Sequence, residues 1–148
     1  MNETIRYRLS DNADLDLIKN LLHQSDLPTS DIDANKIDFI VAIDQAGSIV
    51  GCVGLERHGY DGLLRSLAVT PSLRNRTIGH GLFEQLLSIA RQSGVRNLHL
   101  LTTTAEKFFA GSGFSTMPRD AAPASIKATA EFSLLCPSSS AYMVLQDI

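Results

Sequence analysis

Apolar residues fall along this chain in two patterns, short near-continuous runs and stripes spaced by three and four. The runs predict strands and the stripes predict helices. Ile5–Leu9 predicts a short strand. Leu17, Ile18, Leu21 and Leu22 follow at helical spacing behind Ser10 and Asp11, both N-cap residue types. Asp26–Ala34 is polar and holds Pro28, which predicts a loop with a helical turn. Ile37–Ile43 is dense in β-branched residues and predicts a strand, a turn ends at Gly47, and Ile49–Glu56 predicts the returning strand. Gly51 and Gly54 within it predict a bulge or the close approach of another group. A turn at His58–Gly62 leads to Leu63–Val69, apolar enough for a strand buried on both faces.

Pro71–Thr77 is polar and basic. Beyond it Ile78, Leu82, Leu86 and Ala90 form one stripe, widened by Phe83 and Leu87. This predicts a helix from about Gly79 to Ser93, with Gly94 at its C′ position. Leu98–Thr103 predicts a strand and Ala105–Gly111 a short helix. Gly113 and Phe114 start another strand, Arg119–Leu135 holds one or two short helices around Pro123, and Ala141–Leu145 closes as a strand. Early strands joined by short turns are antiparallel neighbours, whereas the later β-α-β unit, Leu63–Thr103, needs parallel strands and a right-handed crossover. The expected class is α/β, a mixed, mostly antiparallel sheet flanked by helices in a single domain over residues 1–148.

Composition narrows the function. The 148 residues are 44% hydrophobic and 20% charged, with a formal charge of −3, which excludes a disordered chain and disfavours nucleic acid as a partner. Two separated cysteines, Cys52 and Cys136, make neither a disulfide framework nor a paired-Cys metal module, and no metal is expected. No apolar window is long enough for a membrane span, and the first residues hold no apolar h-region, so a cytoplasmic protein without a membrane partner is expected.

The strongest chemical signal lies between Val69 and Leu82. A strand ends, a loop carries Arg74 and Arg76, and a long helix begins. N–H groups at a helix start, with its dipole, bind anions. Gly79 and Gly81 carry no Cβ, so a phosphate can approach closely. This pattern describes a diphosphate cradle, although an ordinary strand–helix connection has the same spelling. It is neither a P-loop nor a dinucleotide fingerprint, since the Gly-Lys-Ser/Thr and the glycine spacing are missing.

Val69, Pro71, Arg74, Ile78, Gly79, Gly81 and Leu82 together resemble the acetyl-CoA motif of the GNAT-fold N-acetyltransferases. Phe108, Phe109, Gly113 and Phe114 resemble the second motif of that family. The segment Leu100–Phe109 is similar to the amino-acid (glutamate) branch, and Leu63–Val69 with Glu131–Pro137 is similar to small acetyltransferases associated with arsenic resistance. The resemblance implies acetyl-CoA as co-substrate, with its diphosphate at Arg74, Asn75, Arg76, Thr77, Ile78, Gly79 and His80. It also implies that the backbone of Leu67, Ala68 and Val69 pairs with the pantetheine arm as a false strand. Phe108, Phe109 and Gly111 would border the thioester. Two positions depart from the family: Thr77 replaces a loop glycine, which strains the chain if that position needs a positive φ, and Phe109 replaces a tyrosine that serves as general acid.

Acetyl transfer needs a neutral amine, its alignment with the thioester, and a donor for the oxyanion. The backbone N–H of Ala68 or Val69 is the natural donor. Glu56, directly after an apolar run, is a candidate base, though it reads first as a solvated strand-end carboxylate, with His58 and Tyr60 as substitutes. Arg65 interrupts an apolar strand and needs an anion, either a substrate carboxylate or an internal partner such as Glu56 or Asp61. Ser66 follows it on the other strand face. Thr102 and Thr103, at a strand carboxyl end, are candidates for coenzyme or substrate contact, while Thr104 reads as a helix N-cap. His23 and His99 read as surface or strand residues, Cys136 as an inert thiol, and Ser139 and Ser140 as a turn or a substrate contact. Leu27–Asn35 and Arg119–Ser140 would shape a pocket for a small amino-acid-like amine, attacked without a covalent intermediate. A protein-amine acetyltransferase, a non-catalytic acyl-CoA-binding module and an interaction protein remain alternatives, and a homodimer is compatible with the fold.

Overall fold

In the computed structural model, which describes residues 4–32, 36–74 and 76–148 and Arg76 through its backbone, seven strands form one mixed sheet. These are β1 (Arg6–Leu9), β2 (Asp38–Ile43), β3 (Ile49–His58), β4 (Asp61–Val69), β5 (Asn97–Thr102), β6 (Ser115–Met117) and β7 (Ala141–Leu145), in the order β1-β2-β3-β4-β5-β7-β6. The helices are α1 (Leu15–Gln24), α2 (Arg76–Gln92), α3 (Glu106–Gly111) and α4 (Ala124–Lys127). As the connections require, β4 and β5 are parallel, while β1–β2, β2–β3, β5–β7 and β6–β7 are antiparallel. Boundaries move by a few residues. β3 runs on to His58 and β4 starts at Asp61, so the expected turn shrinks to Gly59–Tyr60. The last strand but one begins at Ser115 rather than Gly113.

Packing groups the chain into two compact units, Met1–Leu55 with Ser66–Ile89, and Glu56–Arg65 with Ala90–Ile148. In the first, the entry to α1 is fixed by side chains. The Asp11 carboxylate accepts from the Ala13 N–H at 2.9 Å, and the Asp14 carboxylate accepts from the Asp11 N–H at 2.9 Å. The Arg8 guanidinium holds Asp14 at 2.7 and 3.1 Å and keeps its carboxyl below the usual carboxylate range. Ile18, Leu21 and Leu22 of α1 then bury against Phe39, Val41, Ile43, Cys52 and Ala68. The expected irregularity in β3 is a bulge: Ala42 faces Gly51 and Ile43 faces Ile49, leaving Val50 between them. The freed Val50 carbonyl accepts from the Thr70 N–H at 2.8 Å. At Gly51 a Cβ would stand 3.0 Å from a Leu82 methyl, so the close approach read there is by α2.

Gly81 corrects the sequence reading. It lies in the first turns of α2, where its bare Cα looked suited to a phosphate. The space a Cβ would take is filled by the Tyr7 phenol of β1. Gly81→Ala is therefore expected to cost about 1–3 kcal/mol through overpacking. The same change in a Tyr7→Ala background should be close to neutral in urea unfolding, since the obstructing ring is then gone.

In the second unit β5 pairs along its length with β7, from Leu98 opposite Leu145 to Thr102 opposite Ala141. Its parallel ladder with β4 spans Asp61–Leu63 opposite Asn97–His99. Leu63, Ala122, Ile126, Tyr142 and Val144 form the core, with Leu101 and Phe132 packed on it. The Arg119–Leu135 stretch holds a 3-10 turn at Arg119–Ala121, α4 after Pro123, and a π-helical turn at Glu131–Leu135 that the sequence did not suggest. At the end of α2, Gly94 takes φ 84°, and the Val95 N–H reaches back to the Ala90 carbonyl at 2.9 Å, the expected C′ closure.

Candidate active site

The phosphate-type loop belongs to the first unit. Pro71–Leu73 makes a 3-10 turn and α2 begins at Arg76, three residues before the expected start. Thr77 therefore lies in the first helical turn, in an ordinary conformation, and the strain expected from a positive φ there does not arise. The first turn of α2 contains no acidic residue, which leaves its dipole and outward N–H groups suited to an anion. Arg74 folds back along the loop, donating to the Val69 carbonyl at 3.0 Å and to the Ser25 hydroxyl at 3.1 Å. Ile78 and Gly79 are buried, and His80 is exposed beside Glu84 at 3.8 Å. Asn75 lies outside the described residues. Ala68 is buried between the partly buried Leu67 and Val69.

Ser66 shows what no pattern could. Its φ is +58° inside a strand, a left-handed conformation that costs a non-glycine residue about 1 kcal/mol or more. Arg65 and Ser66 are both buried, as is β4 before them from Gly62 to Leu64. The Ser66 carbonyl accepts from the Cys52 thiol at 3.4 Å, and burial pushes that thiol up to about 12.

The charged site belongs to the second unit. Glu56 is not a solvated strand end. It sits within β3, 5% exposed. One of its carboxylate oxygens accepts from Arg65 Nη1 at 2.7 Å, and the other lies 3.1 Å from His58 Nε2. Arg65 is thus held by an internal partner, one of the two alternatives, and a second carboxylate, Glu131 in the π-helical turn, stands 3.9 Å from its Nη2. The guanidinium is fully buried and both carboxylates nearly so. Two buried acids thus face one buried guanidinium, with His58 beside the first of them, an arrangement with a large desolvation cost. The Cys136 thiol lies 3.8 Å from Glu131, and burial, with that carboxylate second, pushes it up to about 12. It is not a thiolate nucleophile at neutral pH.

The remaining candidates separate. Tyr60 is 68% exposed and carries the Arg96 guanidinium over its ring at 5.5 Å. His23 is exposed beside Thr29. His99, in contrast, is buried between the Asp61 carboxylate at 2.8 Å and the Tyr142 hydroxyl at 2.7 Å. The cap expected from Thr104 does not form: Ala105 is the N-cap of α3 without a side-chain cap bond, the Thr102 hydroxyl accepts from the Ala105 N–H at 3.0 Å in the turn before the helix, and Thr103 and Thr104 are exposed. The Phe109 ring is buried, edge-on to Phe108 and Phe114 at 5.1 and 5.5 Å. Phe108 is partly buried, Ser139 exposed and Ser140 buried. Glu131, which opens the Glu131–Pro137 segment, and Arg119, which opens the Arg119–Ser140 segment, had no role of their own in the sequence reading and join this unit's charged groups. Arg119 lies over the Phe132 ring at 4.6 Å.

The acetyltransferase (GNAT) domain profile matches residues 35–116. An amino-acid acetyltransferase of Mycobacterium tuberculosis is 37% identical over 73 residues, 49% of this chain and 41% of that protein. One of Pseudomonas fluorescens is 30% identical over 113 residues, 74% of this chain and 26% of that protein. This chain thus spans well under half the length of either curated relative. Among solved structures, N-acetylglutamate synthase of Neisseria gonorrhoeae, complexed with coenzyme A and N-acetyl-glutamate, superposes with a TM-score of 0.83 at 20% identity, over 100% of this chain and 36% of that one. A Mycobacterium tuberculosis protein complexed with CoA superposes with a TM-score of 0.80 at 24% identity, over 97% and 99%. At these identities the superpositions establish the fold. The mixed seven-stranded sheet, the Val69–Leu82 motif and the match to more than half of the chain place it in the GNAT acetyltransferase family.

Proposed function

We propose that this chain transfers acetyl from acetyl-CoA to the amine of a small amino-acid-like substrate. The observation that carries the reading is the buried Glu56 carboxylate, set between Arg65 and the partly exposed His58, within a member of an acetyltransferase family. An ammonium has no lone pair, so the reaction needs a group that draws the cation in and takes its proton. Glu56, backed by Glu131, supplies both. Its proton leaves through His58, whose side chain is 31% exposed.

The residues of the first unit suit the coenzyme. The helix start at Arg76–His80 offers N–H groups and a positive dipole end to the diphosphate, with Arg74 at the loop. The strand backbone at Leu67–Val69 offers amide pairing to the pantetheine arm, and the N–H of Ala68 or Val69 receives the oxyanion. The amine attacks the thioester carbonyl carbon, the C–S bond breaks, and the coenzyme leaves as a thiol once it gains a proton. With Phe109 in the core, that proton comes from water or from another group. Relatives named amino-acid acetyltransferases support the substrate class. A glutamate-like organoarsenical amine is a finer reading that rests on the Leu63–Val69 and Glu131–Pro137 segments, which also carry Arg65 and Glu131.

The test is calorimetric titration of acetyl-CoA, followed by thiol release with a panel of free amino acids. Binding followed by release with one class of amine is the expected result. Binding without release by any amine means an acyl-CoA-binding module, and failure to bind overturns the loop assignment.

A further inference from the structure

Cys52 is fully buried on β3, and the reaction described above gives its thiol no part. Its sulfur nevertheless meets two main-chain groups of β4, the neighbouring strand. It donates to the Ser66 carbonyl at 3.4 Å, and the Ala68 N–H acts on the same sulfur, drawing its pKa down against the burial that raises it. A regular ladder would answer such groups with main chain. Here one side chain bridges two residues of the next strand. Burial keeps the sulfur protonated at neutral pH, so it remains a donor.

What the bridge holds is the strained part of β4. Ser66 takes φ +58°, a conformation that persists only where its surroundings hold it. Beyond Ser66 the facing of the main chain is fixed. The Thr70 N–H donates to the Val50 carbonyl of β3, and the Ala68 carbonyl lies 3.3 Å from the place a Cβ on Gly51 would take. Ala68 and Thr70 therefore turn their main-chain groups to β3. Successive residues of a strand send theirs to opposite edges, so Leu67 and Val69 send theirs away from β3. Of the two candidate oxyanion donors, Ala68 is thus turned to sulfur and Val69 to the other edge. We infer that Cys52 is a positioning residue: its thiol pins the Ser66 carbonyl and the Ala68 N–H, and so aims the N–H groups of Leu67 and Val69 at the pantetheine arm of the coenzyme. The inference rests on the acetyl-CoA reading for the identity of the ligand, but its test does not require turnover.

The experiment compares binding of acetyl-CoA with binding of adenosine 3′-phosphate 5′-diphosphate, the half of the coenzyme that keeps the diphosphate and lacks the pantetheine arm. Both are titrated calorimetrically. The wild-type chain is expected to favour acetyl-CoA. Cys52→Ala should weaken acetyl-CoA by about threefold to tenfold, the size of one net hydrogen bond, and leave the nucleotide unchanged. Cys52→Ser removes the same sulfur but keeps a donor, so it should recover part of the loss. A variant that only loosens the fold weakens both ligands together, so their ratio separates positioning from packing. An unchanged ratio in Cys52→Ala, or a Cys52→Ser variant no better than Cys52→Ala, would overturn the inference. So would a wild-type chain that binds both ligands equally, since β4 then makes no contact with the arm. A wild-type chain that binds neither overturns the loop assignment and the inference together. A changed ratio without acetyl transfer to any amine supports the inference and sinks the proposed activity.

Discussion

Arg65→Met should destabilise the protein by about 3–5 kcal/mol, the largest single effect expected from the charged site. The number follows from asymmetry. A buried ion pair contributes little net stability, because desolvation offsets attraction, yet removing one partner leaves the other without compensation. Here the loss is doubled, since Glu56 at 2.7 Å and Glu131 at 3.9 Å both face the same guanidinium. Methionine fills a similar volume, so a cavity contributes little. Adding Glu56→Gln to Arg65→Met should recover part of the loss, because one of the two carboxylates that faced the guanidinium is then neutral. Urea unfolding of the two single variants and the double variant gives the coupling directly. If Arg65→Met costs less than about 1 kcal/mol, the cluster is not holding the unit together, and Arg65 has solvent or another anion within reach.

Glu56→Gln is expected to act in the opposite way. It should lower kcat for acetyl transfer by about 10²–10⁴, the contribution of a positioned general base. Its effect on stability should be small. Arg65 keeps Glu131, and the amide oxygen still accepts from the guanidinium. Acetyl-CoA affinity should not change, because the loop and helix start that would hold it belong to other residues. A variant that folds, binds coenzyme and does not turn over is the signature of a proton acceptor. If kcat falls by less than a few-fold, Glu56 is a structural partner of Arg65 and the proton leaves by another route.

The contrast between these two substitutions also shows where sequence reading stops. The apolar stripe of α2 and the β-branched run of β2 carry periodicity within one element, so they are legible, and so is Gly94 as a helix end. Arg65 was visible as a charge on an apolar strand, because a buried cation must have an anion. Which anion was not visible. Glu56 lies on the preceding strand, but Glu131 comes from a π-helical turn that no spacing rule encodes. Gly81 fails for a related reason: the group that fills its missing Cβ comes from β1, at the far end of the chain. The start of α2 was placed late because Arg76 and Thr77 are polar and periodicity begins only at Ile78. Thr104 does not cap α3 because the helix starts one residue later than its cap would need, with Ala105 at the N-cap, a matter of backbone path and not of residue type.

The hydrogen-bonded chain of Asp61, His99 and Tyr142 has a consequence for how the sheet finds its pairing. A carboxylate only accepts, so Nε2 of His99 donates to Asp61, and the other ring nitrogen, Nδ1, shares a hydrogen bond with the Tyr142 hydroxyl. The three residues lie on β4, β5 and β7. Side chains alternate along a strand, so a slip of one residue turns every one of them to the opposite face. An entirely aliphatic sheet would find many shifted pairings nearly as good as the right one. With a buried imidazole, a slip of β7 past β5 leaves a ring nitrogen and a phenol both stranded without partners. The chain of three thus works as a checksum on strand alignment: it adds little to the depth of the native state, but it raises the energy of the misaligned neighbours with which that state competes during folding.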